Sequence, residues 1–170
     1  VTTPVVKFWN CMRAAAFVYE CVQVHGGNGF ILENPVARLY REAPLNSIWE
    51  GTSNMMCMDT LRAMQREPGC KEAFVEELRQ QRGANATFDR ACDDLADRMG
   101  RNYPHDGHAR GLVTRMAYLL QAAQMIEHSP SAVAELFIDS RLGGDWMHGF
   151  GTLPDSAALP AIVQRAAVIK

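Results

Sequence analysis

The sequence predicts an all-α fold, an antiparallel helical bundle, and three observations carry that expectation. Apolar residues recur at three- and four-residue spacing through most of the 170 positions. Pairs containing glycine or proline punctuate those runs at helix-sized intervals. Alternation of apolar and polar residues, the mark of a half-buried strand, is absent, as are internal repeats and low-complexity tracts.

Taken in order, Val5, Phe8, Trp9, Met12, Ala15, Ala16, Tyr19 and Val22 line one helix face over Val5 to Val24, and Gly26-Gly27 ends that run. Asn34-Pro35 opens a short helix carrying Val36, Leu39 and Tyr40, which Pro44 closes. A third helix is expected from Thr52 or Ser53 to Arg66, with Met55, Met56, Met58, Leu61 and Met64 as its apolar content, stopped by Pro68-Gly69. Lys71–Arg82 and Thr87–Met99 follow, the latter with Phe88, Ala91, Cys92, Leu95 and Met99 on one side. Gly107–His128 is the longest helical stretch. Ser129-Pro130 reads as an N-cap and first helical position for another helix that stops at Gly143-Gly144. A last helix is expected over Ser156–Val168.

Composition bounds the function classes. With 48% hydrophobic and 21% charged residues the chain is of the folded globular kind. Its net charge of −2, from 17 Lys and Arg against 19 Asp and Glu, gives no electrostatic case for nucleic acid as a default partner. The apolar run Leu112 to Ala123 is interrupted by Thr114, Arg115 and Gln121, so no membrane partner is expected, and no signal-peptide pattern occurs. Five cysteines, Cys11, Cys21, Cys57, Cys70 and Cys92, form no C-x-x-C and leave one over from any pairing. They read as reduced, buried cysteines of a cytoplasmic protein, with Cys11, Cys21 and Cys92 at apolar helix positions. The chain begins at Val1 and runs straight into helix-compatible sequence, as a piece of a longer protein would, and as a chain whose initiator methionine is removed would.

The densest feature is Gly26-Gly27-Asn28-Gly29-Phe30. It follows a helix, so it lacks the strand-before, helix-after setting of a dinucleotide fingerprint. Around it, Gln23, Gly26-Gly27, Gly29, an aromatic, Glu33, Arg38 and Glu42 form a long, fully occupied spacing pattern, followed by Ile48-Trp49-Glu50-Gly51-Thr52. Both elements, in this order and separation, resemble the C-terminal signatures of acyl-CoA dehydrogenases. The run from Arg38 to Gly51 and Asn54-Met55-Met56-Cys57-Met58-Asp59 are similar to the AidB-type, alkylation-response branch of that family. The resemblance is specific over about residues 5–66 and implies the C-terminal helical domain of an acyl-CoA dehydrogenase-type flavoprotein.

What the resemblance implies attaches to particular residues. Glu50 matches the α-proton base of many family members, working on an acyl-CoA thioester beside FAD. Such a base needs a dry pocket and a polarised carbonyl, supplied in part by its own backbone N–H. Ile48, Trp49, Gly51, Thr52, Ser53, Asn54 and Met58 match the segment along the flavin nucleotide, with Thr52 to Asn54 at a helix start suited to a pyrophosphate. Gln23, Gly26 and Gly27 match positions that touch the adenosine end across a subunit interface, which implies a homo-oligomer, dimer or tetramer. The family's flavin cradle and acyl pocket lie mostly in domains preceding this region, so the chain alone is expected to be inactive and not stably flavinated.

The chain divides by this reading into 1–67, bearing the flavin and catalytic motifs, and 68–170, an additional helical region of AidB type. The second part matches the region to which DNA binding is assigned in that branch, and a DNA-protective role with vestigial dehydrogenation is the alternative. Residues 70–170 carry 11 Lys and Arg against 13 Asp and Glu, so Arg79, Arg82, Arg90, Arg98 and Arg101 would have to share one face to bind a duplex. A pure assembly role is a third reading. His105-x-x-His108 has the look of a metal pair but no third ligand at a recognisable spacing, and no metal is expected. His25 is expected to be packed or hydrogen-bonded, and Arg38 and Arg41 to pair with Glu33 and Glu42. Trp146 and His148, among glycines, suggest no role.

Overall fold

Eight α-helices and three short 3₁₀ helices, with no strand, make up the described residues of the computed structural model, which are 1–100, 106–144 and 149–167. The all-α expectation holds. The chain forms two compact units. The first comprises Val1–Lys71 and the described part of Pro104–Ala117; the second comprises the described parts of Glu72–Tyr103 and Tyr118–Lys170.

The first unit is organised on α1 (Thr2–His25), which buries Val5, Phe8, Trp9 and Val22. Phe8 is 1% exposed, and burying such a side chain contributes about 1.5–3 kcal/mol. Gly26, at φ +59, ends α1 in a conformation that favours glycine. A 3₁₀ helix, Gly26–Gly29, then folds back on the last turn of α1. A Cβ on Gly29 would sit 2.6 Å from the Val22 carbonyl oxygen and 2.8 Å from the His25 Cβ, so this close approach requires glycine.

Next comes α2 (Pro35–Glu42), where the Asn34 side chain accepts from the Val36 amide at 2.9 Å and Pro35 fills the first turn. A second 3₁₀ helix (Ala43–Ser47) leads through a turn into α3 (Ser53–Arg66), which buries Cys57, Thr60 and Leu61. The Thr60 hydroxyl donates to the Met56 carbonyl at 2.9 Å, which makes its burial tolerable. Helix α1 packs against α2, α3 and both 3₁₀ segments.

In the second unit, α4 (Cys70–Arg79) buries Phe74 and Leu78, and α5 (Ala86–Gly100) buries Phe88, Leu95 and Met99. Asn85 caps α5 by accepting from the amides of Thr87 at 2.8 Å and Phe88 at 3.1 Å. A 3₁₀ turn at Asp106–His108 and the start of α6 (Ala109–His128), through Ala117, belong to the first unit; the rest of α6 belongs to the second, followed there by α7 (Ser131–Leu142), which packs on α5, and α8 (Leu159–Ala166).

Four local expectations are corrected. Helix α7 begins one residue late: Pro130, at ψ 141, is its N-cap and its carbonyl accepts from Val133 and Ala134. The last helix begins at Leu159, because Ser156 is spent on a turn in which its hydroxyl accepts from the Ala158 amide. On α3 the buried stripe runs through Cys57, Thr60 and Leu61, leaving Met55 exposed. Accordingly Cys57 is the buried cysteine, while Cys11, Cys21, Cys70 and Cys92 are half-buried; none of the five is in a disulfide.

Candidate functional site

The 3₁₀ helix that precedes α3 is tightened by the amides of Ile48 and Trp49, which both donate to the Leu45 carbonyl, at 2.9 and 3.1 Å. Three residues then carry the chain into α3. Glu50 adopts φ +53, the one positive φ outside glycine among the described residues, and Gly51 adopts φ +106. Thr52 is extended and serves as the N-cap of α3. A side chain at Gly51 would meet the Met56 methyl group, and the φ value alone excludes other residues without strain.

A lysine from another element fastens this turn. The Lys7 ammonium, on α1, donates to the carbonyls of Asn46 at 2.8 Å, Trp49 at 3.0 Å and Gly51 at 2.9 Å. Three donors is the full capacity of an ammonium group. Lys7 was not among the residues singled out from the sequence; on the pattern alone it reads as a solvated charge on a helix.

Glu50 itself is exposed, and its carboxylate makes no hydrogen bond or ion pair with a described residue. Its own backbone N–H is likewise without a partner among the described residues. The described residues therefore do not enclose the dry pocket that the resemblance implies, because the flanking Ile48 and Trp49 are themselves 59% and 56% exposed.

The start of α3 offers donors. Its first backbone bond is Met56 N–H to the Thr52 carbonyl at 3.0 Å, which leaves the amides of Ser53, Asn54 and Met55 without described partners. The Thr52 hydroxyl does not cap them. Asn54 instead accepts from Arg110 Nε at 2.8 Å, and the two border a cavity of about 450 Å³ with Cys57, Met58, Gly107 and Ala109. Burial pushes the Cys57 thiol up to about 11, with the Arg110 charge pulling partly the other way.

Gln23, Gly26 and Gly27 lie elsewhere. Gln23 is 16 residues along α1 from Lys7, which at 1.5 Å per residue puts it about 24 Å away. Gln23 is exposed and donates to Glu20 at 3.3 Å, and no neighbour crowds Gly26 or Gly27. Within one chain the structure thus brings Ile48 to Asn54 and Met58 together and keeps the glycine cluster apart from them.

Among the described residues no group of three His, Cys, Asp or Glu is placed to hold a metal. His108 is exposed, and His105, Trp146 and His148 lie outside the described residues. His25 is exposed and unbonded among the described residues, because it ends its helix on the solvent side. Glu33, Arg38, Arg41 and Glu42 are exposed and form no ion pairs with one another. Of the arginines required for a basic face, Arg79 pairs with Glu76 at 3.6 Å, Arg98 with Asp94 at 2.8 Å, and Arg82 with Asp93. Arg101 lies outside the described residues, and no helix among them is long and apolar enough to cross a membrane.

The family described as "Acyl-CoA dehydrogenase, C-terminal domain" has a sequence model that matches residues 1–65. AidB of Escherichia coli (strain K12) is 34% identical over 145 residues, covering 83% of this chain and 26% of AidB. The 3-methylmercaptopropionyl-CoA dehydrogenase of Ruegeria pomeroyi is 31% identical over 160 residues, 92% of this chain and 26% of that protein. The mitochondrial long-chain specific acyl-CoA dehydrogenase of Mus musculus is 40% identical over 50 residues, 29% of this chain and 12% of that enzyme. The chain thus spans about a quarter of the length of the first two relatives. Through residues 1–65, and by a likeness to AidB that runs through most of the rest, the chain belongs to the acyl-CoA dehydrogenase family as its C-terminal helical region.

Proposed function

We propose that this chain is the C-terminal part of an FAD-dependent flavoprotein that dehydrogenates acyl-CoA thioesters at the α,β bond, with Glu50 as the base. The observation that carries the reading is the turn Trp49-Glu50-Gly51, which presents an uncommitted carboxylate immediately before the open start of α3. Residues 1–67 would carry the flavin and catalytic motifs, and 68–170 an AidB-type helical extension, in a cytoplasmic homo-oligomer.

The residues present fit the cofactor. The free amides of Ser53, Asn54 and Met55 and the uncapping Thr52 hydroxyl suit a pyrophosphate at a helix start, and Ile48, Trp49 and Met58 offer apolar surface beside it. When bound, FAD supplies a hydride acceptor. Glu50 removes the proton α to the thioester carbonyl, while its own unpaired N–H is available to the carbonyl oxygen on which negative charge develops. Exclusion of water from Glu50 falls to protein other than the described residues, since Glu50 is exposed here. Gln23, Gly26 and Gly27, about 24 Å along α1, would face a second cofactor held by another copy.

Two measurements test this. FAD added to the isolated chain gives no stoichiometric, tightly held yellow complex; such a complex would show that the cradle is already complete. In the full-length flavoprotein carrying this sequence, Glu50→Gln leaves FAD content unchanged and lowers acyl-CoA-dependent flavin reduction about 100-fold or more. Undiminished reduction would remove Glu50 from the mechanism.

A further inference from the structure

We infer that Lys7 is a positioning residue for the turn that carries Glu50. An ammonium group on α1 gathers the carbonyls of Asn46, Trp49 and Gly51, residues 39, 42 and 44 positions away, at 2.8, 3.0 and 2.9 Å. Two of those carbonyls flank Glu50 on either side. The Trp49 carbonyl lies in the peptide plane that enters residue 50, and the Gly51 carbonyl lies one peptide beyond it, so the chain is anchored on both sides of the left-handed residue at φ +53.

The chemistry explains why a lysine stands there. Carbonyl dipoles converging on one point repel one another unless a cation lies between them, and bonds from a charged donor are stronger than neutral ones. The turn needs such help. Its regular hydrogen bonding ends with the amides of Ile48 and Trp49 and resumes at Met56, so the residues between have no ladder of their own. Left-handed backbone at a glutamate is disfavoured and persists only where surrounding contacts determine it. Its three hydrogens are committed to carbonyls and no ion pair joins it to Glu50, so Lys7 acts on the backbone that carries the carboxylate.

The catalytic consequence rests on the proposed role of Glu50; the hold on the turn does not, and the test separates them. In the 170-residue chain, Lys7→Met is expected to speed amide exchange at Ile48 and Trp49 about tenfold while leaving the interior of α3 unchanged. Lys7→Gln, with two donors left, should fall between, and it carries the test should the methionine variant fail to fold. Unchanged exchange at Ile48 and Trp49 in both variants would overturn the inference.

In the full-length flavoprotein, Lys7→Met should lower kcat about tenfold with little change in KM, and Lys7→Arg should recover part of that loss. A loosened turn with undiminished kcat, where Glu50→Gln is inactive, would overturn the positioning role in catalysis. Full activity of Glu50→Gln would instead overturn the reading of Glu50 and leave the exchange result to decide whether Lys7 holds the turn.

Discussion

Glu50 holds a left-handed backbone that costs a residue bearing a Cβ roughly 1–2 kcal/mol, and its exposed side chain recovers none of this through a described contact. Replacing it should therefore show a trade of stability against function. Glu50→Gly is expected to raise stability by up to about 1 kcal/mol in urea unfolding, whereas Glu50→Gln changes it by less than about 0.5 kcal/mol. Next door, Gly51→Ala at φ +106, against the Met56 methyl, should cost about 1–3 kcal/mol in the same measurement. Two thiols give a pH-dependent prediction. Burial pushes both Cys57 and Cys92 from 9.0 up to about 11, opposed by the Arg110 charge at the first and the Arg82 charge at the second. A raised thiol favours the fold while it stays neutral, so that contribution is whole below pH 9 and is lost as pH rises toward about 11. At pH 8 the thiolate fraction is about a hundredfold below that of the unfolded chain, and iodoacetamide labelling followed by peptide mass mapping should find both sites correspondingly slow.

Helix ends are decided by single side chains, and Asn85 supplies the cleanest case. Its carboxamide oxygen takes two amides at the start of α5, so Asn85→Ala should cost about 1 kcal/mol of stability, while Asn85→Asp should be nearly neutral. The same local chemistry explains what could be read from the sequence. Asn34-Pro35, Thr52-Ser53, Gly26 and the pair Gly143-Gly144 mark ends that the structure keeps, because caps and left-handed glycines, here Gly26 and Gly144, are short-range signals. Ser129-Pro130 misleads by one residue, since proline's fixed φ suits an extended N-cap as well as a first helical turn. Burial on α3 was less legible. Its expected apolar content is Met55, Met56, Met58, Leu61 and Met64, but the inward stripe is set by where α1 lies, and of these only Leu61 joins Cys57 and Thr60 on it. Lys7 was illegible for the same reason: its partners are carbonyls about forty residues away, and carbonyls leave no mark on a sequence.

At the scale of the whole chain, the apolar side chains left outside the core are concentrated in the matched region. Val24, Phe30 and Leu32 are 87%, 73% and 69% exposed, and Ile48 and Trp49 stand out beside Glu50. Scattered surface leucines are ordinary, but three consecutive exposed apolar residues at Phe30, Ile31 and Leu32 are not. The segment is held in place from within, by Gly29 pressed on the last turn of α1, so its exposure is a property of the fold and not of a loose loop. Such residues find cover in a larger protein or in another copy, and the chain spans about a quarter of the length of AidB. The chain by itself is accordingly expected to bind the dye ANS and to self-associate as its concentration rises in sedimentation velocity. Phe30→Ser with Leu32→Ser should reduce both and leave the thermal midpoint nearly unchanged, because neither side chain contributes to the core. Dye binding and association that persist in the double variant would locate the exposed surface elsewhere, with the pair Ile48 and Trp49 next to be replaced.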